Sequence, residues 1–260
     1  MQSLWPELQR LARERAQAEP ALARLLHDAI LRWPCALQAL AWRLAQRMDS
    51  SAESAPWLWG LLLPPLQDDP RLGEAAAADL RACVERDPAC TGLHQPFLFY
   101  KGFHALQIHR CAHAHWKAGR STTAQLLQHR CSETLGVDIH PAAQIGYGVL
   151  LDHATGFVAG ETAVVEDQVS LLHNVTLGGT GKQAGLRHPI VRRGASLGAG
   201  ALVLGRVEIG AGARVGAGSV VLRDVPDSHT AVGTRAQVVS VPRRAEMSRT
   251  ISAESALGMA

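Results

Sequence analysis

The residues best suited to chemistry are histidines and carboxylates in the second half of the chain, above all Asp138 and His153. An imidazole titrates near neutral pH and can act as a general base. A neighbouring carboxylate can fix the ring tautomer and stabilise the imidazolium ion. Most polar residues at turns are simply solvated, and the residue types alone favour that interpretation for these two.

A repeat of six residues predicts the element that would position this pair. An apolar residue occupies every sixth position from residue 139 to residue 175 and again from 191 to 221, with small residues between. This period is typical of a parallel β-helix, in which each hexad is one side of a triangular coil. A coil of about 18 residues rises by ~4.8 Å, so Asp138 and His153 could meet on adjacent coils. The inward positions would be Ile139, Ile145, Leu151, Phe157, Ala163, Val169, Val175, Val191, Leu197, Val203, Ile209, Val215 and Val221.

The repeat has one interruption. From Val175 to Val191 is four residues more than two hexads, and the additional length is rich in glycine. This predicts a loop leaving one corner of the β-helix, where binding residues are often found. A phosphate-binding loop around Lys182 is excluded, because Gln183 stands where such a loop needs serine or threonine.

The first half has a different pattern. Residues 1–135 are rich in Ala, Leu, Arg and Gln and predict several short helices, with starts at Glu19-Pro20, Asp69-Pro70 and Asp87-Pro88 and a longer helix from about Pro96 to Lys117. We therefore predict an α+β fold class, with an all-helical N-terminal domain over 1–136 that serves oligomerisation. A parallel β-helix with one inserted loop follows over 137–239, and a flexible tail over 240–260.

Composition excludes several classes of function. The chain has 26 Lys and Arg against 23 Asp and Glu, so it lacks the basic field of a nucleic-acid-binding protein. No secretion signal precedes the charged N-terminal residues, and the longest apolar stretch is short and interrupted by proline, so no membrane association is expected. The five cysteines form no paired motif and predict reduced thiols in a cytoplasmic protein.

Four histidines in the helical half raise the question of a metal. His109 and His113 would share one helical face, but no carboxylate or thiolate stands at ligand spacing. We therefore expect His104, His109, His113 and His115 to be packing or surface residues, and no metal site.

The motifs of the chain resemble those of bacterial serine O-acetyltransferases. The resemblance is strong over about residues 80–239 and includes two helical segments, Arg86-Asp-Pro-Ala89 and Tyr100-Lys-Gly-Phe-His-Ala-Leu106. The motifs in the second half are Asp138-Ile-His-Pro-Ala-Ala, Leu151-Asp-His-Ala-Thr-Gly156, Gly160-Glu-Thr-Ala163, Val175-Thr-Leu-Gly-Gly-Thr-Gly-Lys182 and Arg187-His-Pro189.

This resemblance implies a fold, an activity and an assembly. The β-helix would be left-handed, a hand that general rules for parallel crossovers do not favour. The activity would be acetyl transfer from acetyl-CoA to the hydroxyl of L-serine, the first step of cysteine biosynthesis, without a permanently bound cofactor. The chain would form a homotrimer or a dimer of trimers, with active sites between neighbouring β-helices.

The resemblance also implies a role for ten residues. His153 would be the catalytic base and Asp138 its orienting partner. Asp87 and Asp152 would bind the amino group and hydroxyl of serine, although Asp87 before Pro88 is equally well explained as a helix N-cap. The remaining implied contacts are Arg187 and His188 to the serine carboxylate, and Gly179, Ala199, Ala217 and Arg214 to acetyl-CoA.

Several alternatives stay open at this stage. One alternative is another hexapeptide acetyltransferase, which would use a different hydroxyl acceptor. A second is a zinc enzyme resembling γ-class carbonic anhydrase, which would need three histidines placed as ligands. A third is a non-catalytic β-helix scaffold, which would need none of these residues.

L-cysteine is expected as a feedback inhibitor. A complex with O-acetylserine sulfhydrylase is doubtful, because the chain ends in Ala260 rather than isoleucine.

Overall fold

The computed structural model describes residues 1–50, 52–181 and 184–233. The expected flexible tail over 240–260 and Lys182 lie outside these residues. The helical half also contains short 3-10 segments at Gln2–Leu4 and Pro20–Leu22 and a π-helical turn at His27–Leu31. The α-helices are α1 (Trp5–Ala18), α2 (Ala23–Leu26), α3 (Ala36–Met48), α4 (Ala55–Asp68), α5 (Pro70–Arg86), α6 (His94–Leu98), α7 (Lys101–Lys117) and α8 (Ser121–Leu135).

The boundaries of these helices follow local chemistry at some positions and differ from the prediction at others. Asp69 caps α5 by accepting the backbone N–H of Arg71, with Pro70 at the first helical position, as predicted. The predicted helix start at Asp87-Pro88 is wrong: Asp87 ends α5, and its carboxylate accepts the N–H of Ala89 in a turn. The predicted long helix ends at Lys117 as expected, but its predicted start at Pro96 is wrong, because α6 ends at Leu98 and a new helix starts at Lys101.

The second half is a parallel β-helix, which confirms the predicted fold class. Its short strands form three parallel sheets: sheet 1 (β1-β4-β7-β10-β13), sheet 2 (β2-β5-β8-β11) and sheet 3 (β3-β6-β9-β12-β14). The strands are β1 (Val137–Ile139), β2 (Gln144–Ile145), β3 (Leu150–Leu151), β4 (Phe157–Ala159), β5 (Val164–Val165), β6 (Ser170–Leu171), β7 (Thr176–Gly178), β8 (Ile190–Val191), β9 (Ser196–Leu197), β10 (Leu202–Leu204), β11 (Glu208–Ile209), β12 (Arg214–Val215), β13 (Val220–Val221) and β14 (Thr230–Ala231).

The inward positions of the β-helix match the six-residue repeat. Twelve of the thirteen predicted inward residues are buried, and Ile145 is half-buried. Residues two positions away, such as Val137, Ala159 and Leu177, are buried as well. Each coil thus buries pairs of apolar residues, and about 25 cal/mol is gained per Å² of apolar surface removed from water.

The coils are not all of equal length, which corrects two predictions. Pairs such as Ser196 with Arg214 are 18 positions apart, but Asp138 pairs with Val158, 20 positions later. Those two additional residues lie in the turn between β3 and β4, which contains His153. Val165 pairs with Val191, 26 positions later, so the inserted loop adds eight residues rather than four.

Buried polar contacts join the helical half to the first coil. Asp79 and Arg110 form an ion pair of 2.7 Å with both side chains almost fully buried. Asp79 also accepts the N–H of Val149, and Arg110 donates to the carbonyls of Ile145 and Gly146. Removing either partner would leave a buried charge uncompensated, which is strongly destabilising. The helices are therefore fixed in register against the β-helix.

Two buried histidines predict a loss of stability in mild acid. Burial is the main cause that lowers the pKa of His104 and of His109, each to about 3. The unfolded chain binds protons at these rings below about pH 6.5 while the folded chain does not, so stability is present above that pH and is lost as the pH falls. The free energy of unfolding should be about 4 kcal/mol lower at pH 5 than at pH 7.

Urea unfolding at both pH values would measure this difference. The loss should persist in 1 M NaCl, because its cause is burial of the rings and not a screened surface charge. Equal stability at pH 5 and pH 7 would contradict the interpretation.

The described residues agree with the expectation of reduced cysteines. All five cysteines are free thiols, and four of them are buried. Burial raises the pKa of the Cys111 and Cys131 thiols to about 12, which keeps them protonated and unreactive. No helix within the described part of the chain has the length and apolar character needed to cross a membrane.

Candidate active site

The turn between β3 and β4, residues 152–156, has an unusual backbone. His153 and Ala154 both have positive φ, 55° and 60°, a region that side-chain-bearing residues seldom adopt. Two short hydrogen bonds close the turn, from the Ala154 N–H to the Asp152 carbonyl and from the Thr155 N–H to the His153 carbonyl. Such conformations cost about 1–3 kcal/mol each and persist when the surrounding structure holds them. They also cluster at functional sites.

The first turn of α7 packs directly against this turn. A Cβ atom at Gly102 would lie 1.8 Å from the Leu151 carbonyl oxygen and 3.2 Å from the Ala154 Cβ. Only glycine allows the helix to approach so closely. One residue earlier, the Lys101 ammonium contacts the Thr155 hydroxyl. Helix α7 therefore supports the turn that presents His153.

His153 lies exposed at this turn and contacts residues that differ in part from those expected. Its side chain is 71% exposed, and its Nε2 lies 3.7 Å from a carboxylate oxygen of Asp152. Its ring meets the ring of His173 edge to face, with centroids 5.7 Å apart. The Asp138 carboxylate instead accepts a hydrogen bond of 2.7 Å from Gln128 on α8. Asp138 and His153 are thus not joined as an ion pair.

Asp87 reaches the same region from the helical side. One of its carboxylate oxygens accepts the Ala89 N–H at 2.9 Å, and the other accepts the Tyr100 hydroxyl at 2.9 Å. Since Tyr100 immediately precedes α7, Asp87 is held beside the helix start that supports residues 152–156. The structure therefore brings Asp87, Asp152 and His153 to one side of the molecule.

Arg187 and His188 lie at a different corner, between sheets 1 and 2, which we call the Arg187 edge (residues 160–163, 179–181 and 184–189). The Arg187 guanidinium donates to Glu161 at 2.6 Å, and this hydrogen bond lowers the pKa of the Glu161 carboxyl. The backbone N–H groups of Arg187 and His188 both donate to the hydroxyl oxygen of Thr162. Thr162 thus fixes the backbone that carries both predicted carboxylate-binding residues.

His188 is buried and its tautomer is determined by its surroundings. Its Nδ1 accepts the backbone N–H of Thr162 at 3.2 Å, so in the neutral ring the proton is on Nε2. Burial, and then the Arg187 charge, lower the pKa of His188, which favours this neutral form. A Cβ at Gly160 would lie 2.0 Å from Nε2, so the absence of a side chain there makes room for the ring. His188 can therefore donate one hydrogen bond to a carboxylate.

The corner between sheets 3 and 1 forms a continuous edge, which we call the His153 edge (the turns containing residues 153, 173, 199 and 217). Its backbone is joined coil to coil: Asn174 donates to Thr155, Gly200 to His173, and Gly218 to Ala199. The two upper turns consist of Gly and Ala, so no large side chain projects from them. Predicted acetyl-CoA residues Ala199 and Ala217 thus follow His153 along one line.

The other two predicted acetyl-CoA residues lie elsewhere. Gly179 is on the Arg187 edge, where a Cβ would lie 3.4 Å from both the Arg187 Cγ and the His188 Nε2. Arg214 is exposed on β12 in sheet 3, three residues before Ala217. Strand β4 of sheet 1 separates the two edges by roughly 10 Å, given ~3.3 Å per residue.

Comparison with known proteins identifies the family. A family model described as serine acetyltransferase, N-terminal, matches residues 4–108. The serine acetyltransferase of Escherichia coli strain K12 is 46% identical over 242 residues, which are 93% of this chain and 89% of that protein. The chain belongs to the serine acetyltransferase family. The resemblance drawn from the motifs is thereby confirmed.

Solved structures of the family agree with the fold. The Neisseria gonorrhoeae serine acetyltransferase in complex with serine has a TM-score of 0.85 and 47% identity, covering 90% of this chain and 97% of that one. The Brucella abortus serine acetyltransferase in complex with coenzyme A has a TM-score of 0.88 and 43% identity, covering 92% of this chain and 96% of that one. Members of the family thus bind serine and coenzyme A.

Three of the four helical histidines considered as metal ligands bond to the backbone instead. The side chains of His104, His113 and His115 bond to the backbone carbonyls of Phe97, Pro141 and Leu61, respectively. Within the ranges that the structure describes, no three His, Cys, Asp or Glu side chains are grouped as metal ligands. The zinc enzyme interpretation therefore gains no support from the geometry.

The predicted site residues do not line the cavity that lies between α5, α7 and β2. That cavity has a volume of about 670 Å³. The two edges described above lie on the surface of one chain, and no described residue of either edge lines this cavity. A site built on open edges becomes a pocket only when another surface covers it. The lining residues of the cavity include Asp69, Arg71, His113, Lys117, Gln144 and Tyr147.

Sequence reasoning missed several residues that hold the predicted site. Tyr100 and Lys101 were included only as part of a motif, and Thr162 and Glu161 were given no function. His173 was assigned no role, yet its ring packs against His153. His173 follows His153 by 20 positions, the length of the first coil, but that length is known only from the strand register of the structure.

Proposed function

We propose that this chain transfers the acetyl group of acetyl-CoA to the hydroxyl of L-serine and releases O-acetyl-L-serine and CoA. The observation that carries the proposal is the exposure of His153 on the turn 152–156, at one end of the His153 edge, in a member of this family. Serine and CoA, which are bound in the structures of relatives, are the matching acceptor and product. No permanently bound cofactor is required, since acetyl-CoA is a co-substrate.

His153 is proposed as the general base. It accepts the proton of the serine hydroxyl as that oxygen attacks the thioester carbonyl, and the proton then passes to the departing CoA sulfur. Asp138 is proposed to orient the ring and stabilise the imidazolium. This role requires the exposed His153 side chain to turn from Asp152 towards sheet 1 when substrates bind. Asp152 is then free to meet the serine amino group and hydroxyl.

The acceptor site is proposed to be shared between two copies of the chain. Asp87 and Asp152 provide negative charge for the serine ammonium near His153, while Arg187 and His188 suit the carboxylate through a bidentate fork and a neutral N–H donor. The roughly 10 Å between the two edges exceeds what one serine can bridge within a chain. A neighbouring β-helix in a homotrimer, or in a dimer of trimers, would bring its Arg187 edge against the His153 edge.

The His153 edge is proposed as the path of the acetyl-CoA arm. From the coil of His153 to that of Ala217 the edge rises by three steps of ~4.8 Å, about 14 Å in all. The Gly and Ala turns let an extended chain approach backbone N–H and carbonyl groups at Ala199 and Ala217. Arg214 lies close enough in sequence to Ala217 to meet a CoA phosphate. Gly179 of the neighbouring chain would contact the acetyl end of the same molecule.

The remaining interactions follow from the same chemistry. L-cysteine differs from L-serine only in its side-chain heteroatom and should compete for Asp87, Asp152, Arg187 and His188. A cytoplasmic location remains a prediction from the cysteine content.

An acceptor assay tests the function. Release of free CoA thiol from acetyl-CoA should depend on L-serine and exceed the release with homoserine, a galactoside or water by at least about tenfold. Homoserine carries the same two charged groups but places its hydroxyl one methylene further from them, and a galactoside lacks both charges. Thiol release that depends on another acceptor would leave the proposed mechanism intact and show that the acceptor is not serine. The absence of release with every acceptor would favour a non-catalytic scaffold.

A further inference from the structure

The start of α7 contacts both chemical groups on the acceptor side of the site. Tyr100, the residue before the helix, donates its hydroxyl proton to Asp87, and Lys101, the first helical residue, contacts Thr155 beyond His153. Neither residue projects from the β-helix, and neither was assigned a function above. Two adjacent residues thus connect the proposed ammonium-binding carboxylate with the turn of the proposed base.

The Tyr100 hydroxyl fixes one oxygen of the Asp87 carboxylate while the Ala89 N–H fixes the other. With a donor on each oxygen, the plane of the carboxylate is set before substrate binds. Burial and the hydrogen bond to Asp87 raise the pKa of Tyr100, so the phenol stays a donor throughout the neutral range. Each oxygen retains a lone pair with which to accept a substrate N–H.

Lys101 contacts the turn of residues 152–156, which carries the proposed base. Its ammonium contacts the Thr155 hydroxyl, and Thr155 donates its backbone N–H to the His153 carbonyl. The positive φ values at His153 and Ala154 require support from outside the turn. Gly102, which packs closely against Leu151, supplies part of that support at the start of the turn. Lys101 supplies a polar contact at the other end of the turn.

We propose that Tyr100 and Lys101 are positioning residues of the acceptor site, Tyr100 orienting the Asp87 carboxylate and Lys101 holding the turn that presents His153. The inference rests on the proposed function, because it assumes that Asp87 binds the serine ammonium and that His153 is the base. It assigns the two residues separable effects. Tyr100 acts on the binding of serine, and Lys101 acts on the chemical step.

Steady-state kinetics of the full-length protein separates these effects. Tyr100→Phe should raise the KM for serine roughly tenfold, since a hydrogen bond to a charged group is lost, and should leave the KM for acetyl-CoA unchanged. Lys101→Met should lower kcat by about fivefold with little change in the KM for serine. The matched controls are Tyr147→Phe, the other tyrosine, and Lys117→Met, at the opposite end of α7, and both should behave as wild type.

A double variant distinguishes positioning from general structure. In the Asp87→Asn background, adding Tyr100→Phe should change the KM for serine by less than about twofold, because the tyrosine acts through the carboxylate. Thermal unfolding midpoints of the four single variants should agree, since one hydroxyl or one exposed ammonium is removed.

Each other outcome has a defined meaning. A KM for serine in Tyr100→Phe equal to that of Tyr147→Phe, with Asp87→Asn impaired, would overturn this inference and leave the proposed function intact. Fully additive effects of Tyr100→Phe and Asp87→Asn would also overturn it. An Asp87→Asn variant with normal serine kinetics would overturn the ammonium-binding role of Asp87 and this inference together. A Lys101→Met variant with kcat equal to Lys117→Met would overturn the role of Lys101.

Discussion

Replacing His153 by glutamine should lower kcat for serine acetylation roughly 10²- to 10⁴-fold, the usual contribution of a positioned general base. Glutamine retains hydrogen-bonding capacity but cannot accept the hydroxyl proton at neutral pH. The KM for acetyl-CoA should stay within about threefold of wild type, because the imidazole is proposed to act on the proton and not on the CoA arm. Initial rates of thiol release measure both constants.

The matched control is His229→Gln, an exposed histidine close to β14 whose ring bonds, among the described residues, to the backbone carbonyl of Asp227. This variant should retain full activity. Equal rates for His153→Gln and His229→Gln would remove His153 from the mechanism and leave the catalytic base unassigned.

Mixing two inactive variants should restore activity. If His153 of one chain works with Arg187 of its neighbour, His153→Gln and Arg187→Met each disable every site when present alone. In a randomly mixed homotrimer, about one site in four combines an intact His153 with an intact Arg187. The mixed protein should therefore recover about a quarter of the wild-type activity, which exceeds either parent by roughly 10²-fold.

Co-expression with two affinity tags and sequential purification would provide the mixed oligomers. Mixtures of His153→Gln with Asp152→Asn should show no recovery, because both residues lie on the same turn and belong to the same half of the site. If the Arg187→Met mixture also stayed inactive, the site would lie within one chain, and the separation of the two edges would need another explanation.

The sequence predicts the fold through one physical regularity. Buried apolar residues such as Phe157 and Val203 stand at six-residue intervals, because each side of a coil contributes one short strand with an inward side chain. The need to bury that side chain makes the repeat visible in the sequence. The coil lengths were not predictable in the same way. Two additional residues precede β4, but they do not disturb the six-residue apolar pattern. Phe157 and Ala159 lie two positions apart and both point inward, so an apolar residue still occupies the expected position.

The site was predictable in its residue types but not in its geometry. The motif residues around His153 and Arg187 identified both edges, yet the expected contact of Asp138 with His153 assumed a coil of 18 residues. The actual turn is longer and directs the His153 ring to Asp152 and His173. Tyr100 escaped notice because its partner Asp87 lies 13 positions earlier, beyond a helix boundary that the Asp-Pro pattern misplaced.

The close packing of Gly102 against the Leu151 carbonyl limits which parts of this enzyme can be exchanged or removed. The helical half cannot be exchanged as an independent unit, because it carries Asp87, the proposed ammonium-binding residue, and packs through Gly102 against the turn of the proposed base with no room for a side chain. A chimaera that joins the helices of one relative to the β-helix of another must inherit both sides of that contact together. Shortening the chain to its β-helix would remove the helical part of the proposed acceptor site. The boundary at Gly136 divides two architectures but not two functions.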